Sequence, residues 1–252
     1  QTGIIRQGFS TRLGGVSEGE FASMNLSFSR NDDPQAVMEN YRRFTAIMDC
    51  TPNDVAASHQ THTTNVRRVS SADKGKGVTR DKDYSDIDGL ITDESGVLLA
   101  CFFADCVPLY FVDPVKKVIG LSHSGWRGTL QEISVKTVKK MVKDYGCNPK
   151  DIIVCICPSI RKCHFEVDRD VYEMFYNQFE KLGCTEEFIK VKGEKWHIDT
   201  VLINKIILKN VGILEENIED CGICSVCNKD KVHSYRAEGA NYGLATALIM
   251  LK

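Results

Sequence analysis

The sequence predicts a mixed α+β layered fold, and three observations carry that prediction. Short apolar runs suited to strands alternate with segments of helical period along the chain. The runs at 97–103, 107–112 and 117–122 follow one another without a helix between them. They therefore pair antiparallel or in a mixed sheet, since a parallel crossover needs roughly a dozen residues or more. Finally, 252 residues with 42% hydrophobic content suffice for a sizeable core.

In chain order, the first strand is expected at 4–10. Pro34, placed behind Asp32 and Asp33, then starts a helix over 34–48, because proline is preorganised for the first helical position. Strands follow at 54–58 and 65–70. Residues 71–86 are polar and contain glycine, which reads as one long exposed loop rather than a domain boundary. After the three-strand run comes the clearest helix, 129–145. Leu130, Ile133, Thr137, Val138, Met141, Val142 and Tyr145 share one of its faces, with Lys136, Lys139, Lys140 and Lys143 mostly opposite. A strand at 152–157 and helices at 168–182, 199–210 and 239–250 complete the reading. No repeat, low-complexity segment or linker interrupts it, so one domain over 1–252 is expected.

Composition excludes several classes of function. With 32 basic and 34 acidic residues, the net charge of -2 gives no bulk electrostatic grip on nucleic acid or membrane. No apolar run reaches the roughly 18 residues of a membrane helix. The start, Gln1-Thr2-Gly3-Ile4-Ile5-Arg6, has no signal-peptide pattern and no Met, so the native chain is expected to begin earlier. Eleven cysteines are scattered, many in apolar runs such as Val154-Cys155-Ile156-Cys157. They read as small buried hydrophobes of a reduced, cytoplasmic protein.

Three side chains that end short apolar runs stand out as metal ligands: His62, Cys106 and His123. Two imidazoles and a thiolate suit zinc, and three protein ligands leave a fourth position open, as in catalytic sites. Taken singly, each is more often structural, and their spacing matches no compact zinc pattern. The segment Gly125-Trp126-Arg127-Gly128-Thr129 links a strand to the 129–145 helix. Thr129 is the expected cap, and Arg127 with the helix start is a candidate phosphate site; an ordinary tight turn explains it equally well. Arg12, on the turn Leu13-Gly14-Gly15, is a second candidate anion donor, or a solvated hairpin residue. Asp88 and Asp105 could orient a ligand or exchange protons, although turn chemistry also accounts for Asp88-Gly89. Cys221, Cys224 and Cys227 form a C-x2-C-x2-C run, and His233 is the available fourth ligand for a structural metal. The cytidine-deaminase signature, H-x-E with P-C-x-x-C, is absent.

Taken together, the segments resemble the YfiH or laccase-domain family, often labelled multicopper polyphenol oxidase. The matching pieces run in family order: Ser10-Thr11-Arg12 with Gly14-Gly15-Val16-Ser17, Ser23-Met24-Asn25-Leu26-Ser27, His59-Gln60-Thr61-His62, Asp88-Gly89-Leu90-Ile91-Thr92, Ala104-Asp105-Cys106-Val107-Pro108 and His123-Ser124-Gly125-Trp126-Arg127-Gly128. Pro158-Ser159-Ile160, Cys163-His164-Phe165-Glu166-Val167, Cys224-Ser225-Val226-Cys227 and Ser234-Tyr235-Arg236 follow. The resemblance implies a single α/β/β/α-layered domain with zinc on His62, Cys106 and His123. It also implies phosphorolysis of a purine nucleoside (adenosine, inosine or methylthioadenosine) and deamination of adenosine as a second activity. Arg12, Asn25 and Arg127 are then expected to bind substrate or phosphate, and His59 or Asp105 to move protons. The family pattern is broken at Thr63, Cys157, Val232-His233 and Ala237, and the last two departures bear on substrate preference.

Three other functions compete. Copper oxidation of phenols fits a His2Cys set that has an axial Met, but six histidines are few for a multicopper cluster. Editing of peptidoglycan precursors would turn the same open site on an amide. A non-enzymatic interaction protein would use its cysteine-rich tail to bind zinc. The sequence leaves the oligomeric state open.

Overall fold

A computed structural model describes residues 3–252; Gln1 and Thr2, part of the segment read for a signal peptide, lie outside the described residues. The elements run β1 (Ile5–Phe9), α1 (Pro34–Ala46), β2 (Val55–Ala57), β3 (Val66–Arg68), β4 (Gly89–Thr92), β5 (Leu98–Phe103), β6 (Val107–Asp113) and β7 (Val118–Ser124). Then come α2 (Trp126–Leu130), α3 (Ile133–Tyr145), β8 (Ile153–Ile156), β9 (Glu166–Val167), α4 (Arg169–Phe179), α5 (Thr185–Phe188), β10 (Ile189–Lys192), β11 (Lys195–Ile198), α6 (Thr200–Asn210), β12 (Ile218–Asp220), α7 (Tyr235–Glu238) and β13 (Ala245–Leu251).

Two mixed sheets form the centre. One has the order β1-β13-β5-β2 and the other β12-β8-β6-β7-β4-β3. Leu99, Cys101, Phe103, Ala247 and Ile249 of the first sheet pack on Leu90, Tyr110, Ile119 and Leu121 of the second. On the outer face of the first sheet, Val37, Tyr41 and Phe44 of α1 meet Val55, Leu98 and Leu248. On the outer face of the second, Val138 and Met141 of α3 meet Ile91, Leu109 and Val118. The result is the expected α/β/β/α layering. A small sheet, β10-β11-β9, joins α4 and α6 around Phe175, Phe179, Phe188 and Ile203 at one flank. No helix among the described residues is long and apolar enough to cross a membrane.

The antiparallel β6–β7 pairing bears out the argument from the helix-free run, while β5, the first member of that run, lies in the other sheet between β13 and β2. At α1, Asp33 caps the helix by accepting from the Gln35 amide at 2.9 Å. Two helix expectations need correction. The segment 239–250 is not a helix, because Ala245–Leu251 form β13 between β1 and β5. All seven of its residues are buried, and a continuous apolar run has no period to separate a central strand from a buried helix. The helix expected at 129–145 is broken after Leu130. Glu132 takes a left-handed backbone, φ 59°, so that α2 sends Leu130 toward Phe165 and Ile160 while α3 lies along the sheet. One straight helix cannot do both. Thr129 is therefore no cap: Gly125 caps α2, and the Thr129 hydroxyl, inside the helix, donates to the Gly125 carbonyl at 3.0 Å. The sequence also hid β4, the β10–β11 hairpin and β12, which are short and polar or begin at a turn-like Asp-Gly.

Candidate metal centre

The three predicted ligands come together. His62 lies in the loop between β2 and β3, Cys106 precedes β6, and His123 sits near the end of β7. Their ligand atoms all fall within 4.8 Å of one another, with Cys106 Sγ 4.0 Å from His62 Nε2. A tetrahedral zinc with the usual bond lengths separates sulfur and nitrogen ligands by about 3.6 Å, so a small closure seats the ion. His62 is exposed, Cys106 half-buried and His123 buried, which leaves the triad open on one side.

Sheet register and one carboxylate build this arrangement. The His123 amide donates to the Asp88 carbonyl at 2.8 Å, and the His123 Nδ1–H donates to Asp88 Oδ1, also at 2.8 Å. That bond fixes the tautomer and leaves Nε2 for a metal. The same carboxylate accepts the amides of Thr61 at 3.2 Å, His62 at 3.1 Å and Thr63 at 2.8 Å. Asp88 thus holds both histidines, one by its ring and the other by its backbone. His62 and Asp105 both have left-handed backbones, φ 62° and 87°. Strain of this kind gathers where surrounding structure over-determines a loop. Gly125 closes the floor: a Cβ there would stand 2.8 Å from His62 Cδ2 and 3.1 Å from Cys106 Sγ.

Burial opposes ionisation of Cys106, but the charge and hydrogen bond of His123, with help from His62, bring its thiol down to about 6. Burial likewise disfavours a charged His123, yet Cys106 and Asp88 raise it to about 9. At neutral pH the sulfur is already the thiolate that a metal requires.

Beside the triad is a cleft of about 500 Å³, walled by Trp126, Phe165, Tyr235 and Tyr242, with Arg236 as the one cation among its lining residues and Glu166, Asp168 and Asp170 at its rim. The Arg236 guanidinium donates to the carbonyls of His164 at 2.8 Å and Glu166 at 3.1 Å. A larger cleft of about 760 Å³ along β1 contains none of the triad.

The remaining predicted residues are placed differently. Asp105 lines the cleft, but its carboxylate accepts the hydroxyls of Ser225 (2.6 Å) and Ser234 (2.7 Å) and the Arg236 amide (2.6 Å). It therefore organises the wall. His59 is outside the lining, and its Nδ1 accepts the Asp86 amide at 3.3 Å. Arg12 is bound to Glu238 at 2.6 Å and to the Ala22 and Lys229 carbonyls. Asn25 is fully buried and bonded to Asp32 and the Leu244 amide. Arg127 lies outside the lining residues, its guanidinium 4.0 Å over the Trp126 ring. The helix expected to start at Thr129 starts instead at Trp126, next to Arg127, and breaks after Leu130. Cys221 and His233 are not joined with Cys224 and Cys227. The Arg161 guanidinium is 3.8 Å from the Cys221 sulfur, and the His233 ring is sealed against Gly243. Sequence reasoning missed Phe165, Tyr235, Arg236 and Tyr242 as cleft residues; only their order along the chain was visible, not their convergence.

Residues 6–252 match the family described as multi-copper polyphenol oxidoreductase laccase. Purine nucleoside phosphorylase YlmD of Bacillus subtilis is 32% identical over 97% of this chain and 88% of its own length. Human purine nucleoside phosphorylase LACC1 is 33% identical over 99% of this chain but 56% of its own length, so the chain spans about half of that relative. The crystal structure of the Bacillus licheniformis hypothetical protein YfiH superposes with a TM-score of 0.92 at 32% identity, covering 98% of this chain and 93% of the other.

Proposed function

This chain belongs to the multi-copper polyphenol oxidoreductase laccase family, and from that premise we propose that it is a zinc-dependent purine nucleoside phosphorylase with adenosine deaminase as a second activity. The observation that carries the reading is the open His62–Cys106–His123 triad at the side of an aromatic cleft. The phosphorylase names of its relatives support the reaction class. When bound, zinc at the triad supplies a Lewis acid and acidifies water.

The chain's own residues supply the rest. Trp126, Phe165, Tyr235 and Tyr242 offer flat apolar faces for a purine ring. Arg236, the one cation lining the cleft and fixed by two carbonyls, is the candidate holder of phosphate. In phosphorolysis the bond from C1′ to the base breaks, a phosphate oxygen bonds C1′, and the departing base takes a proton. Asp105 and His59, the tyrosine hydroxyls and the rim carboxylates are the candidate proton carriers for that base. Among the described residues no third ligand cluster accompanies the two present, and four of the six histidines lie away from the triad. That distribution supports zinc over a trinuclear copper oxidase. Free thiols at all eleven cysteines support a reducing, cytoplasmic setting.

The test is a panel of adenosine, inosine and methylthioadenosine, with and without phosphate, read by chromatography. Ribose 1-phosphate and free base should appear only with phosphate, while adenosine should still give inosine without it. Cys106→Ala, confirmed folded and without metal at the triad, should lose both activities; full phosphorolysis in that variant would sink the proposal. Arg236→Ala should raise the apparent KM for phosphate by roughly tenfold or more, well beyond any change for nucleoside. Arg127→Ala, measured in parallel, shows whether the neighbouring arginine shares that role.

A further inference from the structure

A second set of ligating side chains lies apart from the triad: Cys163, His164, Cys224 and Cys227. His164 Nδ1 is 3.2 Å from the sulfur of Cys163, 3.6 Å from that of Cys224 and 3.5 Å from that of Cys227. Cys163 Sγ is 3.6 Å from Cys224 Sγ and 3.9 Å from Cys227 Sγ. A tetrahedron around zinc with Zn–S of about 2.3 Å and Zn–N of about 2.0–2.1 Å has edges of roughly 3.8 Å between sulfurs and 3.6 Å between sulfur and nitrogen. The observed separations therefore match an ion-sized tetrahedron. They are too long for a disulfide, whose sulfurs lie about 2.0 Å apart.

We propose that Cys163, His164, Cys224 and Cys227 bind one structural zinc ion. The donor set is complete at four, with no open position, which distinguishes it from the three-ligand catalytic triad. Thiolate-rich tetrahedral sites select zinc by ligand type and geometry. The ligands come from two chain-distant segments, the turn between β8 and β9 and the turn after β12, so one ion fastens the first to the second. Both segments shape the catalytic cleft. Ser225, next to Cys224, donates to Asp105, and the His164 carbonyl holds Arg236.

Together with the triad of the proposed function, the site makes this chain a two-zinc protein. Protein expressed with zinc and counted by elemental analysis should hold two equivalents per chain. Cys227→Ser should hold one, as should His123→Ala, because each removes a different site. Cys227 is exposed, so its variant has little packing to lose. Cobalt substitution of the unaltered protein gives a readout independent of any variant. Three thiolates on one cobalt give charge-transfer absorption well above that of the single thiolate at the triad. His123→Ala should keep most of this band and Cys227→Ser should lose most of it. One zinc equivalent in the parent, with the band abolished by His123→Ala, overturns the proposal. So does a mass spectrum showing Cys163 joined to Cys224 or Cys227 in freshly isolated protein. Neither result touches the nucleoside assay, so the two readings fail separately.

Discussion

At the scale of single residues, Asp88 decides whether the triad exists. It is fully buried and accepts the His123 ring, three successive amides from Thr61 to Thr63, and the Thr63 hydroxyl at 2.8 Å. Burial alone would push its carboxyl up, but His123 and Thr63 together hold it below the ordinary range. Asn at this position keeps the shape but loses one acceptor oxygen and the negative charge. Asp88→Asn is expected to lower zinc affinity at the triad by roughly 10–100-fold, the usual effect of losing such a partner. Competition with a chelator measures it, and unaltered affinity would remove Asp88 from the account. The ligands themselves were legible because each ends an apolar run. Asp88 was harder to read, since Asp-Gly is also an ordinary turn signal and nothing local says that five donors converge on the aspartate.

At the scale of elements, legibility followed period. Helix α1 announced itself through Asp33 and Pro34, and β5, β6 and β7 through their spacing. The strand β13 did not, because burial on both faces erases the alternation that marks a strand. The break between α2 and α3 was hidden for another reason. Leu130 and Val138 both fit one helical face, and only tertiary packing sends them to different clusters. The break leaves Glu132 in a left-handed conformation with no side-chain cap bond, where an L-residue is strained by roughly 1–2 kcal/mol. Glycine removes the strain but adds freedom to the unfolded chain. Glu132→Gly is therefore expected to stabilise the protein by about 0.5–1 kcal/mol, a Tm increase of roughly 1–4 °C for a chain of this size. Thermal unfolding decides the matter, and a lower Tm would mean that the Gln178 contact to the Glu132 carboxylate, at 3.5 Å, outweighs the backbone.

At the scale of the whole molecule, the cleft joins parts that no local pattern links: Cys106 and Trp126 from the central sheet and α2, Phe165 from the flank, and Tyr235, Arg236 and Tyr242 from the C-terminal segment. The C-terminal segment is seated by His233, whose ring is fully buried against Gly243 and near the Arg12–Glu238 pair. Burial first, and then the Arg12 charge, depress its pKa to about 3. In the unfolded chain a histidine titrates near 6.5. Above that value His233 is neutral in both states. Between about 6.5 and 3 the unfolded chain binds a proton that the folded protein refuses, so stability falls with pH across that window by about 1.4 kcal/mol per unit at most. The depressed carboxyls of Asp73 and Asp88 act with the same sign but begin lower, as pH drops below about 4. Losses between pH 6.5 and 4.5 therefore separate His233 from these carboxylates. His233→Gln should be less stable than the parent at pH 7.5, since it disturbs a packed ring. Its further loss on acidification to pH 4.5 should be smaller than the parent's by roughly 2–3 kcal/mol. Acid release of any bound metal is common to both proteins and cancels in the comparison. Urea unfolding of parent and variant at the two pH values measures the difference, and parallel losses would show that proton refusal at His233 does not set the acid limit of this fold.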